Sequence, residues 1–159
     1  EGEAMVAVDE GSSVVLSGVS VSDPDAADSA SACASSPIGI RNIIELNVTA
    51  NHGSISLNGF APGVQVEGDG HAVTYRGAIP RLADALAGLT YTPDSEFNGF
   101  DTIELTVNDQ GNCGAGGALT DATTISVSVA AVNHPPVLDA GELDLPSAAP
   151  LMVEEGAAP

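Results

Sequence analysis

Residues 86–111 read "LAGLTYTPDSEFNGFDTIELTVNDQG", and this stretch decides the fold class. Leu89-Thr90-Tyr91-Thr92-Pro93 is short, β-branched and aromatic, as strands are. Asp94 to Gly99 is turn chemistry, with a proline before it and Asn98-Gly99 at its end. Residues 100–109 then alternate, which puts Ile103, Leu105 and Val107 on one face. The period is two, so the stretch predicts β structure.

Working outward, the same period recurs. "NIIELNVTA" (42–50) places Ile44, Leu46 and Val48 on one face, and "ATTISVSVAAV" (122–132) does so with Ile125, Val127 and Val129. "VVLSGVSV" (14–21) reads as a strand with a bend at Gly18. "SISL", "VQV" and "AVTYRG" are shorter strands, and "EGDG" (67–70) turns between the last two. "IPRLADALAGL" breaks the rule: Leu82, Ala85, Leu86 and Leu89 fall at helical spacing. Pro80 suits a first turn and Gly88 an end, so one short helical segment is expected near 80–87. About seven short strands at this spacing predict an all-β fold, a seven-stranded antiparallel β-sandwich over residues 1–132.

At Asn133 the pattern stops. "NHPPVL" (133–138) contains two prolines that remove ladder donors, so it reads as a stiff extended linker. Beyond it, "LMVEEG" (151–156) echoes "MVAVDEG" (5–11): an apolar run, an acidic pair and a glycine. The echo predicts that residues 139–159 begin a following, similar unit or form an extended tail. "PLMVEE" also has the apolar run needed for strand donation to a neighbouring subunit, a route to homotypic assembly. The sequence starts without an initiator methionine or a leader, as a piece of a longer or processed protein would.

Charge narrows the partners. The chain has 22 acidic residues against 3 basic ones, and a formal net charge of -19. Nothing neutralises phosphates, so nucleic acid is not an expected partner, and no apolar run of 18 residues spans a membrane. Cations or a salty medium fit such a charge. No nucleophile elbow, zinc-binding helix motif or phosphate loop occurs, so no enzymatic activity is expected. Asn47-Val48-Thr49 is a glycosylation sequon, with Asn47 the acceptor in a secreted eukaryotic chain.

The order of motifs resembles the cadherin-like, Ig-like tandem repeats of large bacterial surface proteins and adhesins, and of their eukaryotic extracellular relatives. The carrying stretches are "VDEGSSVVLSGVSVSDPDA", "LAGLTYTPDSEFNGFDTIELTVNDQG" and "TISVSVAAVNHPPVL", which cover most of residues 8–138. The resemblance implies a Greek-key sandwich set end to end with neighbouring repeats of the same chain, outside the cell or at its surface. It also implies calcium. Asp23 and Asp25 resemble the Asp-x-Asp pair after the second strand. Asp109 resembles the acid closing the penultimate strand, Glu10 the glutamate near the first, and Asp94 and Glu96 the acidic pair of a loop at the opposite pole.

Calcium takes six to eight oxygens, and carboxylates suit it. The same residues also read as a solvated turn, since Asp starts turns and Pro24 fixes φ. Asp109 can equally bond backbone N–H groups of its own loop. The linker "AVNHPP" departs from the acidic run of calcium-binding cadherins, with Ala131 and His134 where acids would help. If the strand order of the family holds, Cys33 and Cys113 emerge at one pole, and a disulfide would tie the two loops there. In the chain-entropy model, closing so long a loop contributes up to about 4–5 kcal/mol. The expected function is a non-catalytic structural or adhesive repeat. The alternative is a carbohydrate- or protein-binding module, against which the scarcity of aromatics weighs.

Overall fold

The computed structural model describes residues 5–23, 43–57, 61–111 and 117–138. It is mostly β, with nine strands and one helix among these residues. Six strands form one sheet in the order β1 (Met5–Asp9), β9 (Thr120–Ala130), β8 (Gly99–Asn108), β3 (Ile43–Ala50), β6 (Ala72–Ala78) and β5 (Val64–Asp69). Three form a second sheet in the order β2 (Val14–Val15), β7 (Leu89–Pro93) and β4 (Gly53–Leu57).

The alternation seen in the sequence sets which face is buried. Ile44, Leu46 and Val48 of β3, Ile103 and Leu105 of β8, and Val127 and Val129 of β9 are buried. They join Ile55, Leu89 and Tyr91 of the smaller sheet in one hydrophobic core. Each such side chain contributes roughly 1.5–3 kcal/mol when fully buried. Helix α1 (Ile79–Leu86) has Pro80 in its first turn, and Leu82 and Leu86, one turn apart, enter the same core. The Gly88 N–H donates to the Ala85 carbonyl at 3.0 Å just past its end. The hairpin between β5 and β6 needs a glycine at Gly68: φ is 89°, and a Cβ would lie 2.4 Å from the Ala72 carbonyl oxygen.

Three features differ from the expectation. First, residues 14–21 do not form one strand. Only Val14 and Val15 pair with β7, and the chain then turns at Gly18, where φ is 90°. Leu16 nevertheless stays buried, and its N–H donates to the Leu89 carbonyl at 2.8 Å. Second, the described strands number nine rather than about seven: each of the eight stretches read as strands contributes one, and residues 5–9 add another. Third, the larger sheet is mixed. β1 runs parallel to β9, from Met5 opposite Ser126 to Asp9 opposite Ala130, while its other pairings are antiparallel. This register lays Val6 and Val8 beside Val127 and Val129 and so extends the apolar inner face.

Tyr75 of β6 is buried in this interior, and its hydroxyl has no hydrogen-bond partner among the described residues. Burial pushes its pKa up to about 12. An unpaired buried hydroxyl has lost its water without recompense. Tyr75→Phe is therefore expected to leave stability unchanged or to raise it by up to about 1 kcal/mol in urea unfolding. A loss of that size instead would mean the hydroxyl has a partner.

Candidate functional site at the two ends of the sheets

The ladder registers sort the acidic residues into two groups. β8 begins beside the end of β9 (Gly99 opposite Val129), and β3 ends nearby (Ala50 opposite Ile103). β1 finishes at the same end, with Asp9 opposite Ala130. At the other end, Asn108 faces Thr120 on one side and Glu45 on the other.

Glu10, Asp94 and Glu96 belong to the first end, where residues 131–138 leave β9 exposed and without regular structure. Glu10 uses its backbone N–H on the Ala130 carbonyl at 2.8 Å. Its carboxylate oxygen Oε2 accepts the Val132 N–H at 3.3 Å, and Oε1 lies 3.8 Å from His134 Nε2. The glutamate thus holds the first turn of the departing segment. Asp94 starts a tight turn: its N–H donates to the His52 carbonyl at 3.0 Å, and its carbonyl accepts the Phe97 N–H at 3.1 Å. Its carboxylate is 3.8 Å from His71 Nε2. Glu96, within that turn, has φ of 64°, a left-handed conformation that a side chain adopts at some cost.

Asp109 and Asp23 belong to the second end. Asp109 Oδ1 accepts the Gly111 N–H at 2.8 Å and the Leu119 N–H at 2.7 Å. The residue's own N–H donates to the Leu119 carbonyl at 3.1 Å, so this aspartate closes the β8–β9 connection at its base. The N–H groups of Gly111 and Leu119 hold its carboxyl below the usual carboxylate range. Asp23 follows Val19 to Ser22, which line a cleft with Leu46, Val107 and Asp121 near the same end. Asp25, Cys33 and Cys113 lie outside the described residues, and so does the tail 139–159.

Among the described residues, no three His, Cys, Asp or Glu side chains converge on a point that could hold a metal ion. Glu10 and Asp109 already accept backbone N–H groups, and they sit at opposite ends. Asn47 stands in the middle of β3, flanked by β6 and β8, and its side-chain oxygen accepts the Thr74 hydroxyl at 2.6 Å. The sequon is thus part of a central strand rather than a loop.

The carboxylate most deeply engaged is not among the candidate site residues read from the sequence. Asp101 is 4 % exposed. Its Oδ2 accepts the Tyr91 hydroxyl at 2.7 Å and the His52 N–H at 3.0 Å, and its Oδ1 accepts the Thr102 N–H at 2.7 Å. His52 Nδ1 lies 3.5 Å from the same Oδ1, and the imidazole stacks on Phe97 at 4.4 Å between centroids. Burial pushes the Asp101 carboxyl up. The Tyr91 hydroxyl and the His52 and Thr102 N–H groups outweigh that and hold it below the ordinary value. Burial first, and Asp101 beside it second, push the Tyr91 phenol up. One carboxylate therefore bonds the smaller sheet through Tyr91, the β3–β4 turn through His52, and its own strand. A signal is present in the sequence: the alternation that turns Ile103 inward turns Asp101 inward as well.

No family model, curated protein or solved structure matches the chain.

Proposed function

We propose that the chain is a non-catalytic extracellular repeat whose two sheets form a Greek-key β-sandwich, set end to end with similar units in a surface or adhesive protein. The strand order supports this. With β5 and β6 set aside, seven strands remain. The first, ninth, eighth and third share one sheet and the second, seventh and fourth the other. Apart from the first strand, which the Ig constant type puts in the other sheet, this split follows that of an Ig-type sandwich and supports reading β5, β6 and α1 as an insertion between two of its strands.

The observation that carries the functional reading is the parallel pairing of β1 with β9. Because the first and last strands point the same way, the chain enters toward one end of the sheets and leaves from the other. Units joined this way extend along a line instead of folding back. Glu10, gripping Val132, fixes the direction in which the chain leaves. Calcium would stiffen such a joint only if a neighbouring unit, or residues such as Asp25, supplied further oxygens.

Two copies joined head to tail through residues 131–138 are expected to scatter X-rays as a rod. Its maximum dimension should be close to twice that of one copy. A dimension near that of a single copy would mean that the units fold onto each other and would overturn the reading. The same measurement with calcium and with a chelator separates the ion from the array: identical profiles remove calcium and leave the rod.

A further inference from the structure

The outer face of the six-stranded sheet differs in charge from the rest of the chain. Strand β9 presents Thr124, Ser126 and Ser128 there, and β8 presents Thr102 and Thr106 beside them. Phe100, opposite Ser128, is 77 % exposed, and Met5, opposite Ser126 on the other flank, is 67 % exposed. From β1 across to β6, charges on this face are few among the described residues. Glu104 stands near its centre, Glu45 is paired with Arg76, and Asp9 is at the rim. In a chain of net charge -19, this is a nearly neutral surface carrying two unburied large apolar side chains.

We propose that this face is a self-association surface, whose partner is the same face of a second copy, packed side by side. The proposal goes beyond the end-to-end reading and does not depend on it. Three arguments favour a second copy. A carboxylate only accepts hydrogen bonds, so an acidic face cannot pair with itself. Ser, Thr and Asn both donate and accept, so a hydroxyl-rich face can. Second, two strongly acidic molecules approach most easily where carboxylates are fewest, and the outer surface of β1, β9, β8, β3 and β6, with Glu104 near its centre and Asp9 at its rim, is such a place. Third, the size suffices. Five strands about 4.8 Å apart and about 25 Å long cover roughly 600 Å² per copy. Both copies together bury about 1,200 Å², the lower end of a stable specific interface.

The remaining repulsion between two acidic molecules makes the association depend on salt. The Debye length falls from about 10 Å at 0.1 M to about 3 Å at 1 M. Sedimentation of the chain at 0.05 M and 1 M sodium chloride is expected to give monomer at low salt and dimer at high salt. Phe100→Glu should weaken the high-salt dimer at least tenfold. Met5→Glu, a second variant on the opposite flank, should weaken it in the same direction. Val66→Glu, at an exposed apolar residue of β5 on the other side of the sheet, should leave it intact. Monomer at both salt concentrations, up to several hundred micromolar protein, overturns the proposal. So does a dimer that survives both face variants, or one that Val66→Glu abolishes. Circular dichroism of each variant distinguishes loss of contact from loss of fold.

Discussion

Asp101→Ala is expected to destabilise the protein by about 3 kcal/mol or more at neutral pH, read as a lower urea midpoint with an unchanged slope. The substitution leaves the Tyr91 hydroxyl and the His52 N–H without their acceptor inside a buried site. Tyr91 retains only a longer bond, 3.2 Å, to the His52 carbonyl. Asp101→Asn keeps the volume but turns an amide N–H₂ toward donors, so its cost is smaller and its pH dependence is the sharper test. The folded-state pKa of Asp101 lies below the ordinary value. Its contribution is therefore fully present above about pH 4, the unfolded value, and is lost as pH falls through the folded value. Acidification also relieves the repulsion among 22 acidic residues, so the raw stability of the native chain mixes two opposite trends. The difference between native and Asp101→Asn isolates one of them: it should shrink as pH drops below about 4. A difference that stays constant from pH 7 to pH 3 would mean the carboxylate is not held as described.

Gly53→Ala is expected to be strongly destabilising for a single methyl addition, at about 2–3 kcal/mol. A Cβ at this position would lie 2.3 Å from Tyr91 Cε2 and 2.7 Å from its hydroxyl oxygen, closer than atoms pack. The ring can yield only by sliding off Asp101, so the substitution also strikes the hydrogen bond that joins the sheets. Gly11→Ala separates crowding from backbone strain. Gly11 has φ of 74°, and an added methyl would meet nothing within 4 Å, so its cost is limited to the left-handed conformation, about 1 kcal/mol. Equal midpoints for the two variants would contradict the close approach of Tyr91 to the start of β4.

Much of this architecture is legible in the sequence because it is local. Residues 42–50, 100–109 and 122–132 alternate, and β3, β8 and β9 follow within two residues at each end. Leu82 and Leu86 mark the helix for the same reason, since a four-residue spacing needs no knowledge of the partner. The pairing of β1 with β9 is not legible, because it joins residues about 120 positions apart and no periodicity encodes a partner. The site divides along the same line. The order of strands and turns distributes Glu10, Asp94, Glu96 and Asp109 among the ends of the sheets. What each carboxylate does there depends on which N–H stands opposite, and that is a tertiary fact. Asp109 closes its loop and Glu10 grips Val132, roles that composition cannot separate from ion binding. Asp101 shows the limit most sharply. Its inward parity is readable from the strand, but the Tyr91 hydroxyl and the His52 N–H that make an inward acid tolerable come from elsewhere in the fold.

The parallel β1–β9 ladder also has a mechanical meaning. When tension is applied between Met5 and the segment beyond Ala130, the two strands are drawn in opposite senses along their common axis. The bonds from Met5–Ser126 to Asp9–Ala130, with the Glu10 N–H on Ala130, then share the load in shear and must yield together. An antiparallel pair with both free ends on one side would peel open one bond at a time. The feature on which the end-to-end proposal rests would therefore also make the unit a stiff link under load.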